Sequence, residues 1–538
     1  MPFKWIKDVF TPASPSKLDS VKLKQKANDK PLNPSLSQTL AWLQSKLGSS
    51  PDFIVRDFNE NPAHDSLVVC YIEGLIEQSL LTDLIEALIT EMGSEASLAP
   101  DVQAAAASLK KKLPLGNIQI IHTEMKLVQA ILAGSAAIVI DGVSYALAAS
   151  ISGGSRRSVE EPTSQTVIRG PKEGFTEDIS LNLTLLRRKL PTPELKLESH
   201  TIGNYTQTKV VLAYLEGIAR QDVIMEVNKR LQAIDTDSIL ESGYIEEFIQ
   251  DKPITPFPTM LNTERPDTIA GSLLDGQVAI FVDGTPFVLI APVTFFNFFQ
   301  SSEDYYQRYD ISTFLRFIRL TSFLVAMLLP SLYIAITTFQ QEMLPTTLLI
   351  SLSAQREGIP LPALMEALMM ELMFEVIREA GVRMPRVIGP AISIVGALVI
   401  GQAAVQAGLV SGAMVIVVSF TAIANFVIPY FNMASAVRLI RFALMLLAGT
   451  LGLFGILAGV IPLLNHLVSL KSFGVNYLIP YAPFDKSNMK DLIIRAPWWA
   501  MKTRPSEISG RNKYRQAPHQ FPEHSDFKGS KDKPDTQE

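Results

Sequence analysis

The chain has 538 residues, 47% of them hydrophobic, and a formal net charge of -5; that length can hold more than one core, and a charge averaged over unlike regions points to no partner. Its single cysteine, Cys70, excludes an internal disulfide and any multi-cysteine metal site within one subunit, and six scattered histidines make a poor case for a metalloenzyme. No cofactor is expected.

From the N-terminus, MPFKWIKDVFTPASPSK lacks the long apolar core of a secretory signal, so the first half is expected to stay on the side of the membrane where it is made. Residues 1–50 are rich in Pro, Ser, Lys and Asn and read as a mobile polar tail with one helical stretch at SLSQTLAWLQSKL. Residues 51–165 and 200–285 mix charged helical patterns with short β-branched runs and read as two water-exposed α/β lobes. Both carry a similar hairpin signature: LAGSAAIVIDGVSYAL and LLDGQVAIFVDGTPFVL each place a glycine (Gly134, Gly276) eight residues before the glycine of an Asp-Gly pair (Gly142, Gly284). Asp-Gly between alternating apolar residues predicts a tight turn, because both residues tolerate positive φ.

The intervening segment, 166–199, contains RGPKEGFTEDISLNLTLLRRKL. It fits neither a phosphate loop nor a dinucleotide loop and reads instead as a joint. Thr176 is placed to cap a helix that opens on Glu177 and Asp178 and closes on Arg187, Arg188 and Lys189, the order a helix dipole favours. Ile179, Leu183, Leu186 and Leu190 share one face, and Glu177, Thr184 and Arg188 fall opposite, where charge would meet solvent or a partner.

Residues 286–485 read as a membrane domain of four or five spans, and from about residue 320 the chemistry changes. Apolar runs at 320–339, 387–406, 409–430 and 442–467 contain no Asp, Glu, Lys or Arg and reach the roughly 20 residues that cross hydrocarbon. TPFVLIAPVTFFNFF (285–299) is short for a span and reads as an interfacial element or buried strand, whereas the Glu-rich 360–382 reads as an amphipathic or re-entrant helix. Four spans put the basic 486–538 tail in the cytoplasm and leave Arg438 and Arg441 outside; a fifth reverses both. Gln402, Gln406, Asn425, Pro429 and Asn432 are polar or helix-perturbing positions suited to a pore or to helix packing, with the conduction path expected along 409–430, where Asn425 and Pro429 share a helical face. Hydrolase, zinc-protease and phosphate-loop motifs are absent, Glu246 and Glu247 read as a solvated helix face, and no aromatic-interleaved basic patch suggests nucleic acid.

Several long blocks then carry a resemblance: RGPKEGFTED with LNLTLLRRK, RPDTIAGSLLDGQVAIFVDGTPFVLIAP, EDYYQRY, SLSAQREGIPLPALMEALMMELMFEVIREAGVRMPRVIGPAISIVGALVIG and IPYFNMASAVRLIRF. Over roughly residues 60–485 the chain resembles the A subunit of GerA-type spore germinant receptors. The resemblance implies a multi-pass subunit of the spore inner membrane that acts with a permease-like B subunit and a lipoprotein C subunit. It further implies an oligomer of A subunits, in contact with membrane lipid, that turns nutrient sensing into release of monovalent cations. Signalling or assembly candidates by resemblance are Arg169, Gly170, Pro171, Gly174, Phe175, Glu177, Asn182, Arg187 and Arg188, with Arg265, Asp267, Arg356, Glu357, Glu375 and Arg378. A secondary transporter, or a non-conducting membrane scaffold, is the alternative. The fold class expected is a soluble α/β N-terminal region of two lobes followed by an α-helical polytopic membrane domain.

Overall fold

The computed structural model of the protein describes residues 30–48, 50–58, 67–92, 118–153, 161–162, 164–383, 399–484, 488–510 and 512–517. The first lobe runs α1 (Leu36–Leu47), β1 (Phe53–Asp57), β2 (Leu67–Ile72), α2 (Gln78–Met92), β3 (Ile118–Ile121), α3 (Glu124–Leu132), β4 (Ser135–Ile140) and β5 (Ala146–Ser150). The second runs α4 (Ile179–Lys189), β6 (Leu195–Ile202), β7 (Thr208–Leu215), α5 (Gln221–Gln232), α6 (Ser242–Ile249), β8 (Leu261–Thr263), α7 (Pro266–Asp275), β9 (Val278–Val282) and β10 (Val288–Ala291). Their antiparallel sheets have the same strand order, β1-β2-β4-β5-β3 and β6-β7-β9-β10-β8.

The likeness extends to atoms. In the first lobe the Asp141-Gly142 turn reaches back to α1: Leu36 N donates to Asp141 Oδ1 at 2.9 Å, and Gly142 N donates to Pro34 O at 2.9 Å. In the second, Ile179 N donates to Asp283 Oδ1 at 3.3 Å, and Gly284 N donates to Glu177 O at 2.9 Å. Each Asp-Gly turn therefore caps the first helix of its own lobe, satisfying amides that a helix N-terminus leaves open. Gly142 and Gly284, with φ of 81° and 88°, take the left-handed conformation the turn demands.

Two boundaries move as a result. Residues 30–48 are part of the first lobe, with Leu36, Leu43 and Leu47 of α1 buried in its core, rather than a mobile tail. Helix α4 stands at the head of the second lobe as α1 stands at the head of the first, rather than in a separate inter-lobe segment. Composition misled here because the proline- and serine-rich run precedes a single short helix, of 12 residues, whose apolar residues are interspersed with Ser, Gln and Lys.

One face of the second sheet is closed by α5 and α6. The other face is covered by α4 and α7, through Ile179, Leu183, Ile269 and Leu273. Its core, including Phe175, Leu186 and Phe281, continues through the turn Phe295–Phe299 into Phe323, Met327, Met433 and Tyr477 of the helical part. TPFVLIAPVTFFNFF is thus mostly buried strand β10 and a short 3₁₀ turn.

The helical part comprises α8 (Tyr309–Thr338), α9 (Thr346–Arg356), α10 (Ala363–Arg383), α11 (Gly412–Phe426), α12 (Phe431–Leu451) and α13 (Leu453–Ser469), followed by the small hairpin β11 (Lys471–Ser472) and β12 (Val475–Asn476). By length and apolar composition α8 and α12 are able to cross a membrane, with 30 and 21 residues, and α11 and α13 are shorter apolar helices. The sequence reading of 442–467 as one span is corrected: the chain breaks at Gly452, φ 61°, into α12 and α13. A β-carbon there would lie 2.8 Å from the Gln340 amide, so a glycine makes the turn where a longer helix would otherwise continue. Arg438 and Arg441 lie in the first half of α12, ahead of this break. Most of the run at 387–406 lies outside the described residues.

Candidate functional site

At the junction of the lobes, α4 places a buried arginine. Arg187 is 1% exposed. Its Nε donates to Asp52 Oδ2 at 2.9 Å and its Nη2 to Asp52 Oδ1 at 3.2 Å, a two-pronged pair with the first lobe. Nη2 also donates to Ser50 Oγ, and Nη1 to Leu195 O of the second lobe. One guanidinium of this signalling or assembly candidate thus satisfies both lobes. Arg188 is exposed and donates to Gly153 O at 2.7 Å. Thr184, assigned to the charged face, is buried instead against Gly74, where a β-carbon would sit 1.7 Å from its hydroxyl.

The segment leading into α4 is held at several points. Phe175 stacks edge-on against Phe281 at 5.5 Å and its N donates to Glu264 O. Asn182 is buried and folds back on the loop, accepting from Thr176 N at 2.8 Å and donating to Thr176 O at 2.6 Å. The helix cap is Asp178, which accepts from Ser180 N, rather than Thr176. Gly174 is buried, and Glu177 is exposed with only its carbonyl engaged.

Arg169, Gly170 and Pro171 reach toward the helical part. Arg169 N donates to Glu303 Oε1 at 3.2 Å, and Pro171 O accepts from Arg265 Nη2 at 2.9 Å. Gly170 has φ 140° and packs so closely on Tyr306 that a β-carbon would lie 2.6 Å from the ring. Arg265 is buried against Asp267, with contacts of 3.1 and 2.7 Å, and Asp267 accepts from Tyr306 hydroxyl at 2.6 Å. Beside them Asp304 is nearly fully buried and accepts from Arg316 at 3.0 Å and Arg319 at 2.8 Å, both on α8, while Arg316 also donates to Asp491 at 2.8 Å. Pro171, Asp267, Tyr306, Tyr430 and Trp498 border a cavity of about 420 Å³ at this junction.

Within the helices three glutamates of α10, Glu366, Glu371 and Glu375, turn toward the bundle, whereas Glu379 is exposed. Glu371 and Arg441 of α12 approach to 2.9 Å, each 1% exposed. Glu375 Oε2 accepts from Arg438 Nη1 at 3.0 Å and Arg378 Nε at 2.9 Å, and Arg441 lies 3.5 Å from its other oxygen. The Glu371–Arg441 contact is an ion pair whose N–H bonds do not line up with the carboxylate oxygens. Higher up, Glu366 is fully buried and accepts from both N and Oγ of Ser411 at 2.5 Å. The outward face of α10 carries Met365, Leu372, Val376 and Val382, with an exposed Glu379–Arg383 pair near its end, while Glu366 and Glu371 are buried on the inner face beside Ala367 and Met370. That arrangement explains why Arg438 and Arg441 break the charge bias of a simple span count: their counter-charges come from the protein.

The polar positions assigned to a pore separate. Asn425 is buried within the subunit, its Oδ1 without a hydrogen-bond partner among the described residues, on a helix packed against α8. Pro429 does not share its helical face, because α11 ends at Phe426 and Pro429 lies in the turn before α12. A proline at that position cannot donate to the carbonyl four residues back, and the helix terminates short of it. Asn432 is half-buried in the first turn of α12. Gln402, in a π-helical turn (Val399–Ala403), and Gln406 are exposed. At the end of α9, Arg356 is half-buried and Glu357 exposed.

Sequence reasoning missed Asp52, Asp304, Asp491 and Glu366, the acceptors that make these arginines and Ser411 intelligible. Single-residue patterns do not reveal a partner 135 residues away. An internal comparison does show one more feature, since Tyr71-Ile-Glu-Gly-Leu-Ile and Tyr214-Leu-Glu-Gly-Ile-Ala follow corresponding strands.

Residues 41–507 match the model of the family described as Bacillus/Clostridium GerA spore germination protein. The chain is 48% identical to Spore germination protein KA of Bacillus subtilis (strain 168), over 93% of this chain and 91% of that protein. It is 43% identical to Uncharacterized membrane protein YfkQ of the same organism, covering 94% and 97%, and 38% identical to Spore germination protein GerLA of Bacillus cereus, covering 89% and 97%. Among solved structures, the N-terminal domain of the A subunit of the Bacillus megaterium spore germinant receptor GerK3 is 38% identical, with a TM-score of 0.40, covering 50% of this chain and 98% of that one. With the family model spanning most of its length and relatives matched nearly end to end, this chain belongs to the GerA spore germination family.

Proposed function

We propose that this chain is the A-type subunit of a germinant receptor, a multi-pass membrane transducer whose two lobes lie on the cytoplasmic side of the spore inner membrane. In this reading it acts with a permease-like B subunit, which meets the nutrient, and a lipoprotein C subunit, and its own copies assemble around a path for monovalent cations. The observation that carries the reading is the unbroken core from the second sheet through Phe295–Phe299 into α8 and α12. A rearrangement of the lobe is felt directly by helices that enclose a buried charge network, because close-packed interiors transmit displacement. Exposed apolar residues such as Ile416, Phe420, Leu439, Leu446, Phe454 and Ile461 suit contact with lipid or with neighbouring copies.

The exposed Gln402 and Gln406 are better placed to face an ion path than Asn425, which its own subunit buries. The buried ion pairs keep α10 against α12, as intramembrane charges commonly pair with one another. The test is purified chain reconstituted in potassium-loaded liposomes, alone and with its B and C partners. Nutrient-dependent potassium efflux supports the channel reading. Assembly without flux, when the lipid and partners are intact, indicates a scaffold, and uptake of the nutrient itself indicates a transporter.

A further inference from the structure

In the first lobe the chain leaves β5 as Ile151-Ser152-Gly153 and folds back beside the turn after β2. Ser152 pairs with Ile76, Gly153 N donates to Leu75 O at 3.1 Å, and Glu77 N donates to Ile151 O at 2.8 Å. In the second lobe the chain leaves β10 for the membrane helices, so it cannot supply the equivalent piece. The place is occupied nonetheless, by Ile508-Ser509-Gly510. Ser509 pairs with Ala219, and Gly510 N donates to Ile218 O at 2.6 Å. The glycines that end the two cognate helices tell the same story: a β-carbon on Gly134 would meet Leu75 O at 2.7 Å and Ser152 Cβ at 3.1 Å, and one on Gly276 would meet Ile218 O at 3.2 Å and Ser509 Cα at 2.9 Å.

We propose that the groove formed by Ile218, Ala219 and Gly276 is a docking site for one occupant, the chain's own C-terminal segment, which supplies the missing last piece of the second lobe and ties that lobe to the membrane helices. The tripeptide repeats the first lobe's Ile-Ser-Gly, so the groove takes a short segment that forms a single bridge through its serine and places a glycine where the backbones converge. The segment is anchored on both sides. Arg504 Nε donates to Leu274 O at 2.7 Å and Arg515 pairs with Asp275, both at the end of α7. In the other direction Ile508 packs on Val475 and Ile479 after α13, and Asp491 holds Arg316 of α8. The described residues 504–510 and 512–517 are therefore a structural part of the second lobe, and a shift of α8 or α13 pulls on that lobe directly.

The first lobe, whose own Ile-Ser-Gly is covalently adjacent, is the internal control. Hydrogen–deuterium exchange on the full chain in lipid nanodiscs would compare wild type with Gly510→Val, whose β-carbon would lie 2.9 Å from Ala219 O. Exchange in peptides covering 269–280 and 505–515 should quicken by about five- to tenfold, as loss of a backbone bond and its packing permits local opening, while 128–153 stays unchanged. A peptide of residues 497–517 added in trans to a chain ending at Ala496 should restore protection, and the same peptide with Gly510→Val should not. Unchanged exchange in Gly510→Val, or equal slowing by both peptides, overturns the proposal. An Ala219→Cys/Ser509→Cys pair in a Cys70→Ala background should form a disulfide within one chain; disulfide-linked dimers alone would show that the occupant comes from a second copy.

Discussion

The pair most exposed to a quantitative test is Glu371 with Arg441. Both side chains are 1% exposed and 2.9 Å apart, so Arg441→Leu leaves a buried carboxylate that lacks aligned donors. Removing one partner of a buried pair costs about 3–5 kcal/mol, because the remaining charge is stranded away from water. Replacing both, as Glu371→Leu with Arg441→Leu, removes two buried charges together and should return most of that loss, since apolar replacements of buried pairs are often neutral or stabilising. Glu375 retains Arg378 and Arg438 in the double variant, which keeps the rest of the network intact. Unfolding of the purified chain in mixed micelles, followed by helical circular dichroism, should give a coupling of at least about 2 kcal/mol across the double-mutant cycle. Single variants within about 1 kcal/mol of wild type, or strictly additive losses, would refute the view that this contact holds α10 to α12.

Arg187→Ala should destabilise the chain by about 3–5 kcal/mol, since it leaves Asp52 without its counter-charge, whereas Arg188→Ala should change stability by about 0.5 kcal/mol or less; chemical denaturation distinguishes them. Gly170→Ala should lower the melting temperature and weaken nutrient response together, because its β-carbon would press into the Tyr306 ring 2.6 Å away. Glu246, corrected from a solvated position to a half-buried one, is pushed up to about 7 by burial first and then by Glu241 and Glu247. Its folded form binds the proton more tightly than the unfolded chain does, so its contribution to stability falls as pH rises from the ordinary carboxylate range through about 7. Glu246→Gln should accordingly raise the melting temperature at pH values above about 8 and change it little at pH values below about 4.

Much of the fold was legible where local chemistry dictates local form. Asp-Gly turns at 141–142 and 283–284 marked both hairpins, and the uncharged run at 320–339 marked the body of α8. Reach was what sequence pattern could not supply. Arg187 looked like the last turn of an exposed helix because its acceptor, Asp52, belongs to the other lobe. Arg438 and Arg441 looked misplaced because α10 hides their glutamates on its inner face. The break at Gly452 was masked by uniform hydrophobicity on both sides, and the turn at Pro429 by the apolar residues flanking it.

The central claim, that the lobes drive a cation path through neighbouring copies of this chain, is tested most directly by potassium efflux from liposomes carrying the complete receptor with Gln402→Leu, Gln406→Leu and Asn425→Leu variants at matched abundance. Reduced nutrient-dependent efflux in the two exposed glutamine variants, with assembly intact and with Asn425→Leu altering stability rather than conductance, is the predicted result. Undiminished efflux in both glutamine variants, or wild-type receptor that assembles and binds nutrient without releasing potassium, would contradict it.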